Sequence, residues 1–220
     1  MAEYRIYCAG PLFNPSERAE MEMLAEVLEL SGFKTFLPHR DSFVYGAIVP
    51  DIVRAGYPLD VAQWMARQAI FAVDVCQVLL TCDGMVVNLN GRVPDEGAVV
   101  EGAMAWTAGK AVVLFKDDAR SKIDGLDNPL VSGLGGFRLV HRSEQLPPAM
   151  THALREHPPE PMRVQSLPGP TRQVIERGQR LIEGYTTEDS GRLIQTIVEV
   201  FDEFRGAGRE PKRRPREQTS

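Results

Sequence analysis

The chain has 220 residues, 43% of them hydrophobic and 25% charged, with a formal net charge of -5 at pH 7. That length suits one domain plus an appendage, and the negative balance argues against a general nucleic-acid binder. The most apolar region, Ala69 to Leu89, carries Asp74 and Asp83 and should not span a membrane.

Strand and helix signals alternate from the start. Tyr4 to Ala9 reads as a strand closed by Gly10-Pro11. Asn14 is placed to cap a helix that opens on Pro15, carries Met21, Leu24, Val27 and Leu28 at helical spacing, and stops at Gly32. Phe33 to Leu37 is a second strand. His39 to Leu59 reads as a long polar connection, and a helix is expected from Asp60 to about Leu80. Asp83 to Leu89, Ala111 to Phe115 and Phe137 to Val140 are three further strands, with a helix beginning after Pro94. Such alternation predicts an α/β fold, a doubly wound parallel sheet of five strands with helices on both faces. The expected order is the flavodoxin-like 2-1-3-4-5.

Residues 1–146 are assigned to this catalytic domain. Prolines are frequent from 147 to 169, which reads as a linker. A helical hairpin is expected over 170–206. One of its helices carries Val174, Leu181, Ile182 and Tyr185, the other Ile194, Ile197, Phe201 and Phe204. Both apolar stripes need a surface to cover, on the parent domain or on a neighbouring subunit. From Arg205 to Glu217 six basic and two acidic residues give +4, leaving -9 for the rest of the chain, so 207–220 reads as a solvated basic tail. Cys8, Cys76 and Cys82 are odd in number and scattered. They suggest neither a disulfide framework nor a zinc site, and fit buried thiols in a reducing cytoplasm. No basic region precedes an apolar run at the N-terminus, so no signal peptide is expected.

The chemistry is concentrated in Gly91-Arg92-Val93-Pro94-Asp95-Glu96-Gly97-Ala98-Val99-Val100-Glu101. In an open parallel sheet the ligand crevice lies beyond the carboxyl ends of the strands, where the order reverses. With order 2-1-3-4-5 that point is bordered by the loop Ala9 to Phe13 and by the loop Asn90 to Asp95. Gly97, Ala98, Glu101, Gly102, Ala105 and Ala108 fall near one helical face. Small residues let that face lie close to the sheet. Glu101 is its one charged group, with its head expected to reach the crevice, poorly hydrated and with a raised pKa. Asp95 and Glu96 have a second explanation, since acids at a helix N-terminus meet exposed N–H groups and the helix dipole.

Three stretches resemble the nucleoside 2-deoxyribosyltransferase family: Tyr7 to Pro15, Cys82 to Gly91, and Pro94-Asp95-x-Gly97-x-x-x-Glu101. The resemblance runs from about Tyr4 to Val140. It implies that Glu101 is a nucleophile that attacks the anomeric carbon of a 2-deoxynucleoside and forms a covalent deoxyribosyl-enzyme, from which a second nucleobase takes the sugar. It implies no metal or organic cofactor. Tyr7 would orient Glu101, and Asp95 would contact the base and help to protonate it. Gly10, Pro11 and Phe13, with Gly91 and Gly97, would shape the substrate pocket. Asn128 is similar to an Asn that family members place in a neighbouring subunit's site, which implies a homo-oligomer.

The chain departs from the family at two places: Glu101-Gly102-Ala103-Met104-Ala105 replaces the usual E-x-G-x-A, which shifts a small residue, and a base-side acid is displaced. Many members carry a base-side Asp eight residues before the Asp found here at Asp83, but that position is Val75 and the nearest acid is Asp74. On a regular helix this would turn the side chain by about 100°. An irregular helix end would let Asp74 serve. Two other readings compete. A nucleoside 5'-monophosphate N-glycosidase would use the same Glu101 with water as acceptor, and would need a phosphate grip from Ser16, Arg40, Arg92 or Ser132. A nucleotide-binding module without catalysis would use the helical hairpin and basic tail as its output.

Overall fold

The structure, a computed structural model, describes residues 3–91, 93–118, 127–185 and 190–202. Five parallel strands form one sheet: β1 (Arg5–Ala9), β2 (Lys34–Phe36), β3 (Gly84–Asn88), β4 (Ala111–Phe115) and β5 (Leu139–Val140). Their order is β2-β1-β3-β4-β5, the expected flavodoxin-like order. The register sets Tyr7 beside Met85 and Ala9 beside Val87. β5 is shorter than its sequence suggests because Phe137 takes a positive φ of 59°, which extended strand backbone cannot include.

Helix α1 (Pro15–Leu30) follows β1. Asn14 caps it by accepting from Glu17 N, and Glu17 answers with its side chain on the Asn14 N–H. The connection expected from His39 to Leu59 is largely helical, with α2 (Pro38–Asp41) and α3 (Tyr45–Arg54). Pro50 inside α3 reads as punctuation, yet Ile48, Val49 and Ile52 are buried on one face, and that burial outweighs the hydrogen bond the proline removes. Helix α4 (Leu59–Cys76) ends in a π-helical turn over Gln77–Thr81, so the regular helix stops short of Leu80.

Helix α5 (Glu96–Thr107) joins β3 to β4, and α6 (Pro129–Leu134) precedes β5. The stretch expected as a proline-rich linker contains helix α7 (Leu146–Glu156). Pro147 and Pro148 fall in its first turn, where proline is preorganised for a helix, and Leu146, Met150 and Leu154 are buried. Helices α8 (Gly169–Gly184) and α9 (Ser190–Asp202) complete the chain as described. Phe204 and the tail lie outside the described residues.

Side chains alternate across each strand, so β1 sends Ile6 and Cys8 to one face and Tyr7 and Ala9 to the other. On the first face they pack with Val86, Val113 and Phe115 against α1 and α7. On the second, Tyr7, Met85, Val87 and Leu114 pack against α5, the end of α4 and Ile175 of α8. A further apolar layer gathers α3, α4, α8 and α9 around Ile52, Met65, Leu181, Ile197 and Phe201. The C-terminal helices therefore cover the parent domain. The three cysteines are buried and unpaired. No helix among the described residues is long and apolar enough to cross a membrane.

Candidate functional site

Between β1 and β3 the strand order reverses. Helix α1 leaves on one face of the sheet and α5 on the other, which opens a crevice at the strands' carboxyl ends. The loops after β1, β3 and β4 border a cleft of about 630 Å³ that includes Pro11, Phe13, Asn90, Gly91 and Asp95. Its charged lining among the described residues is wholly acidic: Glu17, Glu20, Asp95, Glu96, Asp117 and Asp118. Among the described residues no group of three or more His, Cys, Asp or Glu side chains could hold a metal ion.

Tyr7, Asp74 and Glu101 do not line this cleft. They form a group behind it in which Tyr7 is fully buried and Asp74 and Glu101 are half-buried, with Asp95 near enough to Glu101 to act on its charge. Each comes from a different element. Tyr7 stands on the inner face of β1, flanked by the Phe36 ring at 5.2 Å. Glu101 stands on α5, whose buried Ala98, Gly102 and Ala105 draw the helix against the sheet; a Cβ on Gly102 would lie 3.1 Å from a Val87 methyl. That close approach brings the Glu101 carboxylate to β1. The Tyr7 hydroxyl donates to Glu101 Oε1 at 2.6 Å. No donor among the described residues reaches Oε2.

Burial pushes the Glu101 carboxyl up to about 8. The neighbouring Asp74 charge adds to the rise, the Tyr7 hydrogen bond opposes it, and Asp95 adds a smaller upward push. Burial likewise pushes Asp74 up to about 7. Tyr7 is raised well above its ordinary value by burial and then by the Glu101 charge, so it remains a donor. Two interacting carboxyls with affinities this close to neutral titrate as a pair. Both carboxyls therefore hold their protons to higher pH than ordinary carboxyls do.

Asp74 enters this group although it lies one residue off the expected spacing. The π turn that follows it closes with Cys82 N donating to Gln77 O at 3.0 Å, a five-residue step. A π turn takes up one residue more than an α turn. The extra residue between Asp74 and β3 falls in that turn, and Asp74 lies near enough to Glu101 for its charge to raise the Glu101 carboxyl.

A family model for nucleoside 2-deoxyribosyltransferase matches residues 6–196. The chain belongs to the nucleoside 2-deoxyribosyltransferase family. The match runs beyond Val140, where the motif resemblance ends, and takes in α7, α8 and part of α9. Among solved structures, a conserved protein from Enterococcus faecalis V583 is similar at 22% identity with a TM-score of 0.48, over 69% of this chain and 99% of that one. No curated protein sequence matches the chain.

The remaining residues singled out in this deoxyribosyltransferase-family chain have local roles that the structure makes plain. Asp95 caps α5, accepting from Ala98 N at 2.7 Å, and lines the cleft as well. Gly97 serves that cap: a Cβ there would sit 3.0 Å from Asp95 Oδ2. Gly10 lets β1's exit pack tightly, since a Cβ would lie 2.4 Å from Met21 Sδ. Gly91 has φ +116° and donates its N–H to Asp118 at 2.6 Å. Phe13 is 79% exposed at the cleft rim. Asn128 is exposed and caps α6 through Leu130 N, away from the cleft lining.

Sequence reading missed what ties the three loops together. Buried Asn88 and Asn90 follow one another at the end of β3. Asn88 donates to Glu20 at 3.1 Å and accepts from Asn90 N at 2.9 Å. Asn90 donates to Glu20 and Asp117 and accepts from Asp117 N at 3.0 Å. The legible signal was two asparagines at i and i+2, closing an otherwise apolar strand on one face.

Proposed function

We propose that this protein cleaves the N-glycosidic bond of 2'-deoxynucleosides through a covalent ester on Glu101 and passes the deoxyribose to a second nucleobase. The observation that carries the reading is the Tyr7–Glu101 hydrogen bond, which fixes one carboxylate oxygen and leaves the other without a donor. Glu101 Oε2 attacks C1' of the sugar. The bond from C1' to the base nitrogen breaks, and its electron pair stays on the base. Asp74, raised toward neutrality by burial, supplies the proton that the departing base needs. Asp95 contacts the base from the cleft side. In the second half an incoming base nitrogen attacks C1', the ester C–O bond breaks, Glu101 is restored, and the new base's proton returns to Asp74. A 2-deoxy sugar lacks the electron-withdrawing 2'-hydroxyl, so the cation-like transition state forms more easily.

The described lining of the cleft, acidic in its charged residues, favours a nucleoside over a 5'-monophosphate. A phosphate carries about -1.5 to -2 charges near pH 7 and would meet a rim of carboxylates. Of the grips considered, Arg40 is tied to Glu29 and Asp41, buried Ser132 bonds Asp127 O, and Ser16 is exposed in the first turn of α1. Arg92 lies outside the described residues. The same reading includes an assembly of copies in which exposed Asn128 meets a neighbour's cleft; light scattering of the purified protein tests it.

The deciding experiment mixes a deoxynucleoside with a different free base and follows products by chromatography. A new nucleoside is expected. Free base and sugar alone would establish hydrolysis. Glu101→Ala should abolish turnover while retaining the wild-type circular dichroism spectrum, and a fluorinated deoxynucleoside should leave a sugar ester on Glu101 in intact-protein and peptide mass spectra. Near wild-type turnover by Glu101→Ala would overturn the assignment.

A further inference from the structure

Helix α8 grips α4 from behind at the level of Asp74. The contact is backbone to backbone: a Cβ on Gly178 would lie 2.2 Å from Ala72 O and 2.6 Å from Cys76 Cβ. Ile175 and Leu181, one turn to either side, are fully buried. Ala72 and Cys76 are four residues apart and share a helix face. Asp74 lies about 200° around from each, on the opposite side. So α4 is a wall with α8 behind it and the Tyr7–Glu101 pair in front.

Asp74 depends on such a brace, for no hydrogen bond from a described residue holds its carboxylate. The titratable groups that act on it from in front are Glu101 on α5 and Tyr7 on β1. From behind, α8 presents apolar Ile175 and the bare backbone of Gly178. Immediately beyond, the π turn gives α4 a looser end, tied by Thr81 Oγ1 donating to Gln77 O at 3.2 Å. A helix that stops being regular three residues after its functional side chain needs an outside contact to fix where that side chain stands.

The geometry points to Gly178 as a positioning residue: its backbone contact with Ala72 and Cys76 sets the distance at which Asp74 faces Glu101. This rests on the proton-donor role given to Asp74 above. Gly178→Ala pushes α4 off α8, and the first effect falls on the proton delivered to the leaving base. The expected signature is a loss in kcat of about tenfold or more with KM little changed.

The test measures kcat, KM and the Asp74 titration midpoint, the last by carboxyl carbon NMR of the whole protein, which needs no turnover. In Gly178→Ala the midpoint should move. In Gly184→Ala, which crowds the Thr196 side chain on α9 instead, it should stay. In an Asp74→Asn background, Gly178→Ala should cost no further kcat, because the two changes act through one group. Should Gly178→Ala fail to fold, Ile175→Val loosens the same brace by one methylene and is read by the same midpoint. An unmoved midpoint in a folded variant, or full additivity with Asp74→Asn, overturns the proposal. If Glu101→Ala keeps its activity, the catalytic reading falls, and the midpoint comparison still decides the brace.

Discussion

Two places among the described residues hold carboxylates away from water, and they treat them in opposite ways. Beyond β4, Asp127 is 5% exposed and Lys116 2% exposed, and the ammonium meets both carboxylate oxygens at 2.8 and 2.9 Å. Charge is cancelled where it is buried, and the pair pins together the two ends of the chain segment that leaves β4 and returns into α6. Behind the cleft, Asp74 and Glu101 are set against each other with no cation among the described residues paired to either. Their one hydrogen-bond partner among the described residues is the Tyr7 phenol. The first arrangement is what a fold does with a buried acid it needs only for architecture. The second keeps both acids close to their titration points at a cost in stability, and such groups cluster where chemistry is done.

Removing one member of each group should separate the two. Lys116→Met strands a buried carboxylate and should destabilise the protein by about 3–5 kcal/mol in urea unfolding, with activity per folded molecule largely kept. Replacing both partners, Lys116→Met with Asp127→Leu, should recover most of that loss. Glu101→Gln removes a poorly solvated acid and should leave stability at pH 7 unchanged or raised. If Glu101→Gln were the more damaging of the two to the fold, the contrast would be wrong.

The next effect is in pH. Glu101 and Asp74 bind their protons more tightly folded, at about 8 and about 7, than as ordinary carboxyls. The folded state therefore holds extra protons in between. Their contribution is fully present below the ordinary carboxylate range and is lost as pH rises toward about 8, by up to about 1.4 kcal/mol per pH unit for each proton. Wild-type stability should fall from pH 5 to pH 8, and Glu101→Gln should flatten part of that slope. An unchanged slope in the variant would mean that Glu101 is solvated.

Much of this was legible in the sequence. The strand and helix alternation could be read because each strand is short, apolar and bounded by turn residues, whereas the order of the strands has no local mark and 2-1-3-4-5 is an expectation from the fold class. The small-residue face around Glu101 could be read because helical spacing is regular within one element. Helix α3 hid behind Pro50, and α7 hid behind Pro147 and Pro148, because proline marks helix starts as well as loops. Asp74 looked misaligned because a π turn leaves no clear mark in sequence, and its effect on register appears only when Cys82 N is seen to reach Gln77 O. The Lys116–Asp127 pair spans a segment whose closure no local pattern announces.

The finest test concerns the single hydrogen bond that distinguishes Asp74 and Glu101 from a pair left wholly unpartnered. Tyr7 donates to Glu101 and thereby favours its ionised form, opposing the burial that raises it. Reaction needs Glu101 ionised and Asp74 protonated, so the rate should climb with pH as Glu101 loses its proton and fall once Asp74 has lost its own. Tyr7→Phe removes the opposing influence, and the acid limb of the kcat/KM profile should move to higher pH, with activity at pH 7 about tenfold lower. The variant should fold as the wild type does, because Phe keeps the ring beside Phe36 and the β1 packing intact. A limb that stays in place while the rate falls equally at every pH would make Tyr7 a matter of alignment alone. A limb moving to lower pH would place the proton on the wrong partner.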